Sequence, residues 1–290
     1  MKRKYLLALV TIVALTSVVA LAQYRNHPQA RTARDIPSDT GEEPPSWTNA
    51  PAFQKDVFTF ARIRYSSSAR RRWFRAGDWT TDVPDSDINL SFRLQQLTSL
   101  RTDPDGRIVE LTDKELFDYP WVYIVEPGRL MFSDEEVAAL RKYLLNGGFL
   151  MVDDFWGEDQ WENFYREIKR VFPEPEREPE ELEMSHPIFH CVFPITLSKN
   201  QMQVPNFWTG EQSQNNGGIT WEVTGGEECR EVHFKAIFDD KRRMMAFIAH
   251  NTDNGDGWER EGIYKFYFRE FSEKKAYPLG INVVFYAMTH

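Results

Sequence analysis

The sequence has few of the features that nucleophilic enzymes and disulfide-rich proteins share. It contains two cysteines in 290 residues, Cys191 and Cys229, and no G-x-C-x-G or G-x-S-x-G motif. The missing motifs argue against a nucleophile held on a strand-to-helix turn. Two cysteines are too few for a disulfide framework, and both a single disulfide and two unpaired buried thiols stay open.

Positive charge is also in deficit. There are 35 Lys and Arg residues against 44 Asp and Glu residues, which gives a net charge of −9. An acidic protein repels polyanions on average, so we expect neither nucleic acid nor an anionic membrane surface as a partner. Hydrophobic residues make up 41% and aromatic residues 14%, which is typical of a folded globular chain.

Long apolar runs are missing from the sequence except at its beginning. Lys2, Arg3 and Lys4 precede the apolar residues 5–19, and the A-x-A sequence of residues 20–22 follows. This pattern predicts a secretory signal peptide over residues 1–22, with an uncleaved membrane anchor as the alternative. Cleavage removes three cations and no acid, so the net charge becomes −12. We therefore expect an exported protein, periplasmic or extracellular, tethered to a membrane only if the anchor persists.

Residues 23–54 are polar, rich in proline and without apolar periodicity, which predicts a disordered linker. A single domain then covers residues 55–290. Its first half alternates strand and helix patterns, which favours parallel strands joined by crossover helices. The predicted strands are 57–65, 107–111, 121–125 and 149–152, and the predicted helices are 86–100, 134–146 and 158–172.

The second half is richer in strand patterns. Residues 232–238 and 244–249 flank a turn at 239–242 and predict a β-hairpin. Residues 279–287 are typical of a buried terminal helix, although their alternation also fits a strand. The fold class predicted is α/β, a three-layer sandwich with a central, mostly parallel sheet and a C-terminal β-hairpin region.

Several short motifs together resemble one known family. They are Gly77-Asp-Trp79 with Pro84 and Asn89-Leu90, Gly147-Gly148 through Asp153-Asp154 and Gly157, His186-Pro-Ile-Phe189, and Leu279-Gly-Ile-Asn282. Their order and spacing resemble the bacterial family of domains of unknown function 4159, placed among class I glutamine amidotransferase-like domains. The resemblance covers roughly residues 58–289 and implies a flavodoxin-like sandwich. It implies no activity.

Amidotransferases need a thiolate on a sharp turn, activated by a nearby His and Glu. In this sequence the strand at 149–152 is followed by Asp153 and Asp154, and neither cysteine lies near them. We therefore expect no glutaminase chemistry. The sequence favours a non-catalytic domain over an enzyme.

The loop that follows the predicted strand at 57–65 and the loop that follows the predicted strand at 149–152 are expected to meet at the carboxyl edge of the sheet. Open α/β sheets bind ligands at this edge. Arginine can grip a carboxylate or phosphate and tryptophan can stack on a sugar, which predicts a pocket for an anionic or glycan-like ligand. The alternative is a structural ion pair between these arginines and Asp153 or Asp154. The candidate ligand-binding residues are Arg70, Arg72, Arg75, Asp78, Trp79, Asp154 and Trp156.

Other chemistries fit the same residues less well. Asp153 and Asp154 with His186 could hold a divalent cation, but adjacent strand residues point to opposite faces. The Asp253-Asn-Gly-Asp-Gly257 stretch lacks the spacing of a calcium loop and is interpreted as an ordinary turn. We accordingly predict no metal and no cofactor. His186 is either a general base or the acceptor of a local backbone hydrogen bond.

The function predicted from the sequence is an exported, non-catalytic amidotransferase-like domain. It would bind a ligand or an envelope protein at the carboxyl edge of its sheet. The alternative is a hydrolase of a sugar or amide bond that uses Asp153 or Asp154 with His186 as catalytic residues.

Overall fold

A computed structural model describes residues 27, 29–53, 56–68 and 78–290. Its strands are β1 (Ala61–Ile63), β2 (Ser66–Ser67), β3 (Arg107–Val109), β4 (Trp121–Val125), β5 (Leu130–Met131), β6 (Phe149–Asp153), β7 (Glu180–Glu181), β8 (His233–Phe238) and β9 (Met244–His250). Its helices are α1 (Asp85–Leu97), α2 (Asp134–Leu145), α3 (Gly157–Val171), α4 (Phe207–Ser213), α5 (Asn254–Glu259), α6 (Lys265–Tyr267) and α7 (Tyr277–Thr289). A π-helical segment, Phe268–Ala276, joins α6 to α7.

Within the described residues, seven strands form one sheet in the order β3-β1-β4-β6-β9-β8-β7. The first five of these pair in parallel, and β8 and β7 continue the sheet in antiparallel fashion. Numbered along the chain, the parallel strands have the order 2-1-3-4-5, which is the order of flavodoxin-like sheets. The mixed, mostly parallel sheet and the hairpin of β8 and β9 confirm the predicted fold class.

Helices cover both faces of this sheet. α1, α5 and α7 contact one another on one side, and α2 and α3 pack together on the other. β4, at the centre, is buried at all five positions, as expected when both faces of a parallel strand are covered. The large aromatic residues Trp121 and Tyr123 of β4 lie in the core on the side of α1 and α7. The three layers thus leave the ends of the strands as the accessible edges.

Most predicted elements are confirmed, with small shifts of their ends. Ser133 caps α2 and forms the predicted capping box with Glu136. Leu90 and Leu94 of α1 are fully buried, whereas Leu97 is half exposed because α1 ends there. The terminal segment is helical, as α7, and does not form the alternative strand. Apolar periodicity therefore identified the elements better than it placed their ends.

The prediction of a disordered linker over residues 23–54 is wrong for residues 31–53. Ala33 is fully buried and its N–H donates to the Asp105 carbonyl, while Trp47 Nε1 donates to the Thr102 carbonyl at 3.0 Å. Ile108 N–H, at the edge strand β3, donates to the Arg31 carbonyl. The segment lacks periodicity because it binds the domain through backbone groups and single side chains.

The predicted signal peptide, residues 1–22, lies outside the described residues and stays a prediction. Among the residues that the structure describes, no helix has the length and apolar character needed to cross a bilayer.

Candidate acidic pocket at the carboxyl edge

A pocket of about 630 Å³ opens at the carboxyl edge of the parallel strands. Its wall is formed by the segments that follow β1, β4, β6 and β9, together with residues from the region around α4. This is the place where open α/β sheets bind ligands. Its lining residues include six acids and one base, Arg129; the acids are Asp82, Glu126, Asp154, Glu222, Asp253 and Asp256. We call this cavity the acidic pocket.

Asp153, the last residue of β6, and Asp154, which follows it, face different surroundings. Asp154 lines the acidic pocket, and its Oδ1 accepts a hydrogen bond from Trp156 Nε1 at 3.0 Å. Asp153 is completely buried and does not line the pocket. This confirms that only one member of the pair faces the crevice, as the alternation of strand side chains predicts.

Asp153 has a structural role. Its carboxylate accepts hydrogen bonds from Tyr123 Oη at 3.2 Å, from Asn254 N and Nδ2 at 2.9 and 2.8 Å, and from Gly255 N at 3.0 Å. Four donors satisfy the group that burial would otherwise destabilise. Asp153 therefore fixes the start of α5 against the end of β6, and it is not available to a ligand.

Asp82 reaches the pocket on a loop that a buried arginine holds. Arg62 of β1 is fully buried and donates to Asp87 of α1 from Nε at 3.0 Å. Its Nη1 donates to the carbonyls of Trp79 and Thr81 at 3.1 and 2.9 Å. The guanidinium thus connects β1, α1 and the loop just before Asp82.

Two further acids come from α5. Asp253 precedes this helix, and its Oδ1 accepts from Asp256 N at 2.8 Å as an N-cap. Asp256 accepts from Phe207 N of α4. The stretch interpreted from sequence as an ordinary turn is therefore a capped helix start, and it contributes two acids to the pocket wall.

Three of the pocket acids have left-handed backbone conformations. The φ angles are 64° for Asp82, 46° for Glu126 and 56° for Asp154. Residues other than glycine adopt such angles at a cost of order 1–3 kcal/mol each, and they cluster at functional sites. The sheet edge thus holds strained acidic residues that face one another.

The acids approach closely enough to interact strongly. Asp82, Asp154 and Asp253 each offer an oxygen, and these oxygens all lie within 4.8 Å of one another. At an effective dielectric constant of about 20, two unit charges at that distance repel by about 3.5 kcal/mol. The three carboxylates are therefore not all ionised unless a cation lies between them.

Burial and mutual repulsion change the acidity of the pocket. Burial, followed by repulsion from neighbouring acids, raises the pKa values of Asp82, Asp154 and Asp253 well above their usual range. Burial also raises the pKa of Glu126 to about 8. In the absence of a cation, protons neutralise part of the site.

The arginines of the predicted site, Arg70, Arg72 and Arg75, lie outside the described residues. Asp78 accepts from Thr80 N at 2.8 Å in a local turn, and Trp79 is buried against the Arg64 guanidinium. Neither lines the pocket. Of the described residues in that prediction, Asp154 and Trp156 are the two that the pocket brings together.

The predicted pairing of His186 with Asp153 or Asp154 is wrong. His186 packs its ring on Phe238, at the far end of β8, and on Tyr286. Because β8 runs antiparallel to β9, that end lies at the amino edge of the parallel strands, opposite the acidic pocket. His186 Nδ1 accepts from Ile188 N at 3.2 Å, so the alternative of a local backbone bond describes it.

The sequence analysis missed Asp82, Glu126 and Glu222, and it interpreted the stretch with Asp253 and Asp256 as a turn. Glu126 directly follows the predicted strand at 121–125, and Asp253 follows the predicted strand at 244–249 by four residues. An acid soon after the strands at 121–125, 149–152 and 244–249 was the available signal, because those ends converge. The two cysteines, by contrast, are unpaired, and Cys229 is buried.

Comparison with known proteins identifies a family. No curated protein matches the chain. A model of the family described as "Domain of unknown function (DUF4159)" matches residues 59–288, which includes the sheet and every acid of the pocket. The chain therefore belongs to the family of domains of unknown function 4159.

Proposed function

We propose that this chain is an exported, non-catalytic domain that binds a divalent cation in the acidic pocket and, through it, a ligand or an envelope protein. The observation that carries the proposal is the convergence of Asp82, Asp154 and Asp253 at the carboxyl edge of the sheet. Their oxygens lie within 4.8 Å of one another. The cavity of about 630 Å³ leaves space for a further molecule beside the ion.

The ligand chemistry follows from the donor atoms. The triad offers carboxylate oxygens and no imidazole or thiolate, which is the donor set of Ca²⁺, Mg²⁺ and Mn²⁺. Carboxylates alone repel the anionic ligand that the sequence predicts as one possibility. A bound divalent cation reverses this preference, because it can coordinate a ligand's carboxylate or hydroxyl oxygens as well.

The export and the lack of catalysis rest on the sequence. Lys2 to Lys4, the apolar run and the A-x-A site support export. Asp154 stands where an amidotransferase would carry its nucleophilic cysteine. This supports a domain that has the amidotransferase-like crevice but does not perform glutaminase chemistry.

A hydrolase of a sugar or amide bond is the second candidate, with Glu126 in the place of His186. Glu126 lies beside Asp154 in the pocket, and its raised pKa of about 8 is the property of a general acid. Turnover of a glycan or peptide that disappears in Glu126→Gln and persists in Glu158→Gln, an exposed acid of α3, would favour this candidate.

Calorimetric titration of the chelator-treated protein with Ca²⁺, Mg²⁺ and Mn²⁺ tests the first proposal. We expect saturable binding, and at a concentration about 100 times Kd an added stability of about 2.7 kcal/mol. Asp154→Asn should abolish this response. The matched control is Asp159→Asn, an exposed aspartate of α3 outside the pocket, which should bind like the wild type.

Equal heats for the wild type and Asp154→Asn, or no saturable binding of any of the three ions, would contradict the proposal. A response to only one of the ions would identify it, since Mg²⁺ demands a smaller and more regular site than Ca²⁺.

A further inference from the structure

A second group of acids adjoins the first. Asp82 also lies with Asp256 and Glu259, and the ligand oxygens of these three residues are within 4.8 Å of one another. Asp256 lines the acidic pocket, whereas Glu259 is behind its wall, three positions further along α5. Residues three apart on a helix share a face. Asp82 therefore belongs to two clusters at once.

Two oxygens of the second cluster have no hydrogen-bond partner among the described residues. The Glu259 side chain is 6% exposed, and its Oε2 is buried and unsatisfied. Asp82 Oδ2 is likewise buried and unsatisfied. Arg260 Nε lies 2.5 Å from Glu259 Oε2, but without the geometry of a hydrogen bond. Because this ion pair compensates Glu259, Asp82 Oδ2 is the buried acceptor that indicates a missing partner.

The charges indicate what that partner is. The two clusters contain five different carboxylates, on Asp82, Asp154, Asp253, Asp256 and Glu259. The Arg260 guanidinium, which lies 3.8 Å from Asp256 and contacts Glu259, supplies one positive charge. Four negative charges remain when all five acids are ionised. This equals in magnitude the charge of two divalent cations, counted for the two clusters without Glu126, Glu222 and Arg129 of the pocket wall.

We propose that the site holds two divalent cations and that Asp82 bridges them. One ion binds between Asp82, Asp154 and Asp253, and the other between Asp82, Asp256 and Glu259. The inference rests on the proposed function, since it adds a second ion to the same pocket. Ions that share a carboxylate lie about 3.5–4 Å apart, close enough to clamp one oxygen-containing group of a ligand between them.

Gly255 is the residue that permits this arrangement. A Cβ atom at position 255 would overlap Asp82 Oδ2, so any larger residue displaces the carboxylate from the first turn of α5. Because Asp82 is the bridge, Gly255→Ala should weaken the binding of both ions, although it removes no ligand.

Titration of the purified protein with Mn²⁺, followed by native mass spectrometry and electron paramagnetic resonance, tests the inference. We expect two ions per chain and, at two equivalents, a spectrum of two magnetically coupled Mn²⁺ ions. Glu259→Gln should reduce the stoichiometry from two to one and remove the coupling. Glu158→Gln, the exposed control on α3, should leave both unchanged.

The possible results separate the two proposals. One ion in the wild type, with Glu259→Gln indistinguishable from it, overturns the second ion and leaves the proposed function intact. No bound ion overturns both. Two ions without magnetic coupling overturn the bridge. If Glu259→Gln does not fold, Asp256→Asn is the equivalent variant, and the wild-type stoichiometry and spectrum decide the question in either case.

Discussion

The acidic side chains at the two edges of the sheet have opposite surroundings. At the amino edge, Asp239 in the turn between β8 and β9 accepts from Arg243 Nε at 3.2 Å. Glu174, beyond the end of α3, pairs with Arg141 of α2, and this hydrogen bond holds the pKa of Glu174 at about 2. Each of these acids has a base of its own.

At the carboxyl edge, Asp82, Asp154 and Asp253 have other acids as close neighbours, with their oxygens within 4.8 Å of one another. The pKa of Asp154 is raised by burial and then by repulsion from Glu126 and Asp153. An ion pair compensates both charges within the folded protein. A cluster of like charges is compensated only when a cation or protons bind to it. The difference indicates that the amino edge stabilises the domain and that the carboxyl edge sacrifices stability for binding.

Breaking a satisfied pair should have the largest effect. Asp87→Asn leaves the Arg62 guanidinium without its counter-ion at a position where both side chains are completely buried. Removing one partner of a buried pair costs about 3–5 kcal/mol. Urea unfolding should show this loss, and cation binding should weaken too, because Arg62 holds the loop that precedes Asp82.

Asp134→Asn is the matched control for that variant. Asp134 also pairs with an arginine, Arg170, but its side chain is 97% exposed. An exposed pair contributes about 0–1 kcal/mol. Equal losses in Asp87→Asn and Asp134→Asn would mean that the buried pair is not the element that holds β1 to α1.

Local sequence patterns predicted the helices and strands well, because these elements depend on the spacing of buried apolar residues and on capping residues. Trp121 to Val125 is an uninterrupted apolar run, and it forms β4 with those bounds. The failure over residues 31–53 has a physical reason as well. That segment is held by contacts such as Trp47 with Thr102, which join residues 55 positions apart and leave no periodic trace in the sequence.

The site was predicted only in its location. Asp154 could be placed at the carboxyl edge because it ends a strand between Gly148 and Gly157. Asp82 and Glu259 could not be placed, because their approach depends on how a loop and a short helix fold over the same edge. His186 was grouped with the aspartates although it lies at the other edge, since motif order carries no information on strand direction.

Lowering the pH should cause a smaller loss of stability through His250, the last residue of β9. Its ring is buried among Phe155, Trp161 and His233, and its Nε2 lies 3.1 Å from the Gly157 carbonyl. Burial lowers its pKa to about 3; the hydrogen bond with the Gly157 carbonyl and the charge of Glu181 oppose this shift, whereas His233 and Lys235 add to it.

The sign follows from proton binding. Below about pH 6.5 the unfolded chain takes up a proton that the folded chain refuses, so stability is present above that pH and falls as the pH drops towards 3. The loss is about 2 kcal/mol between pH 6.5 and 5. Urea unfolding of wild type and His250→Phe at both pH values should show it as a steeper decline in the wild type. Parallel declines would show that His250 accepts its proton while folded.

The subtlest test uses Asp154→Asn with and without a divalent cation. In a chelator, the variant removes a buried acid that its neighbours repel, so it should be more stable than the wild type by about 1–2 kcal/mol. In excess Ca²⁺ or Mn²⁺ the order should reverse, because only the wild type gains binding energy. Thermal unfolding measures both conditions, and Asp159→Asn should follow the wild type in each. If Asp154→Asn is less stable by the same amount in both, Asp154 supports the fold as Asp87 does, and the acids of the carboxyl edge stabilise the domain as those of the amino edge do.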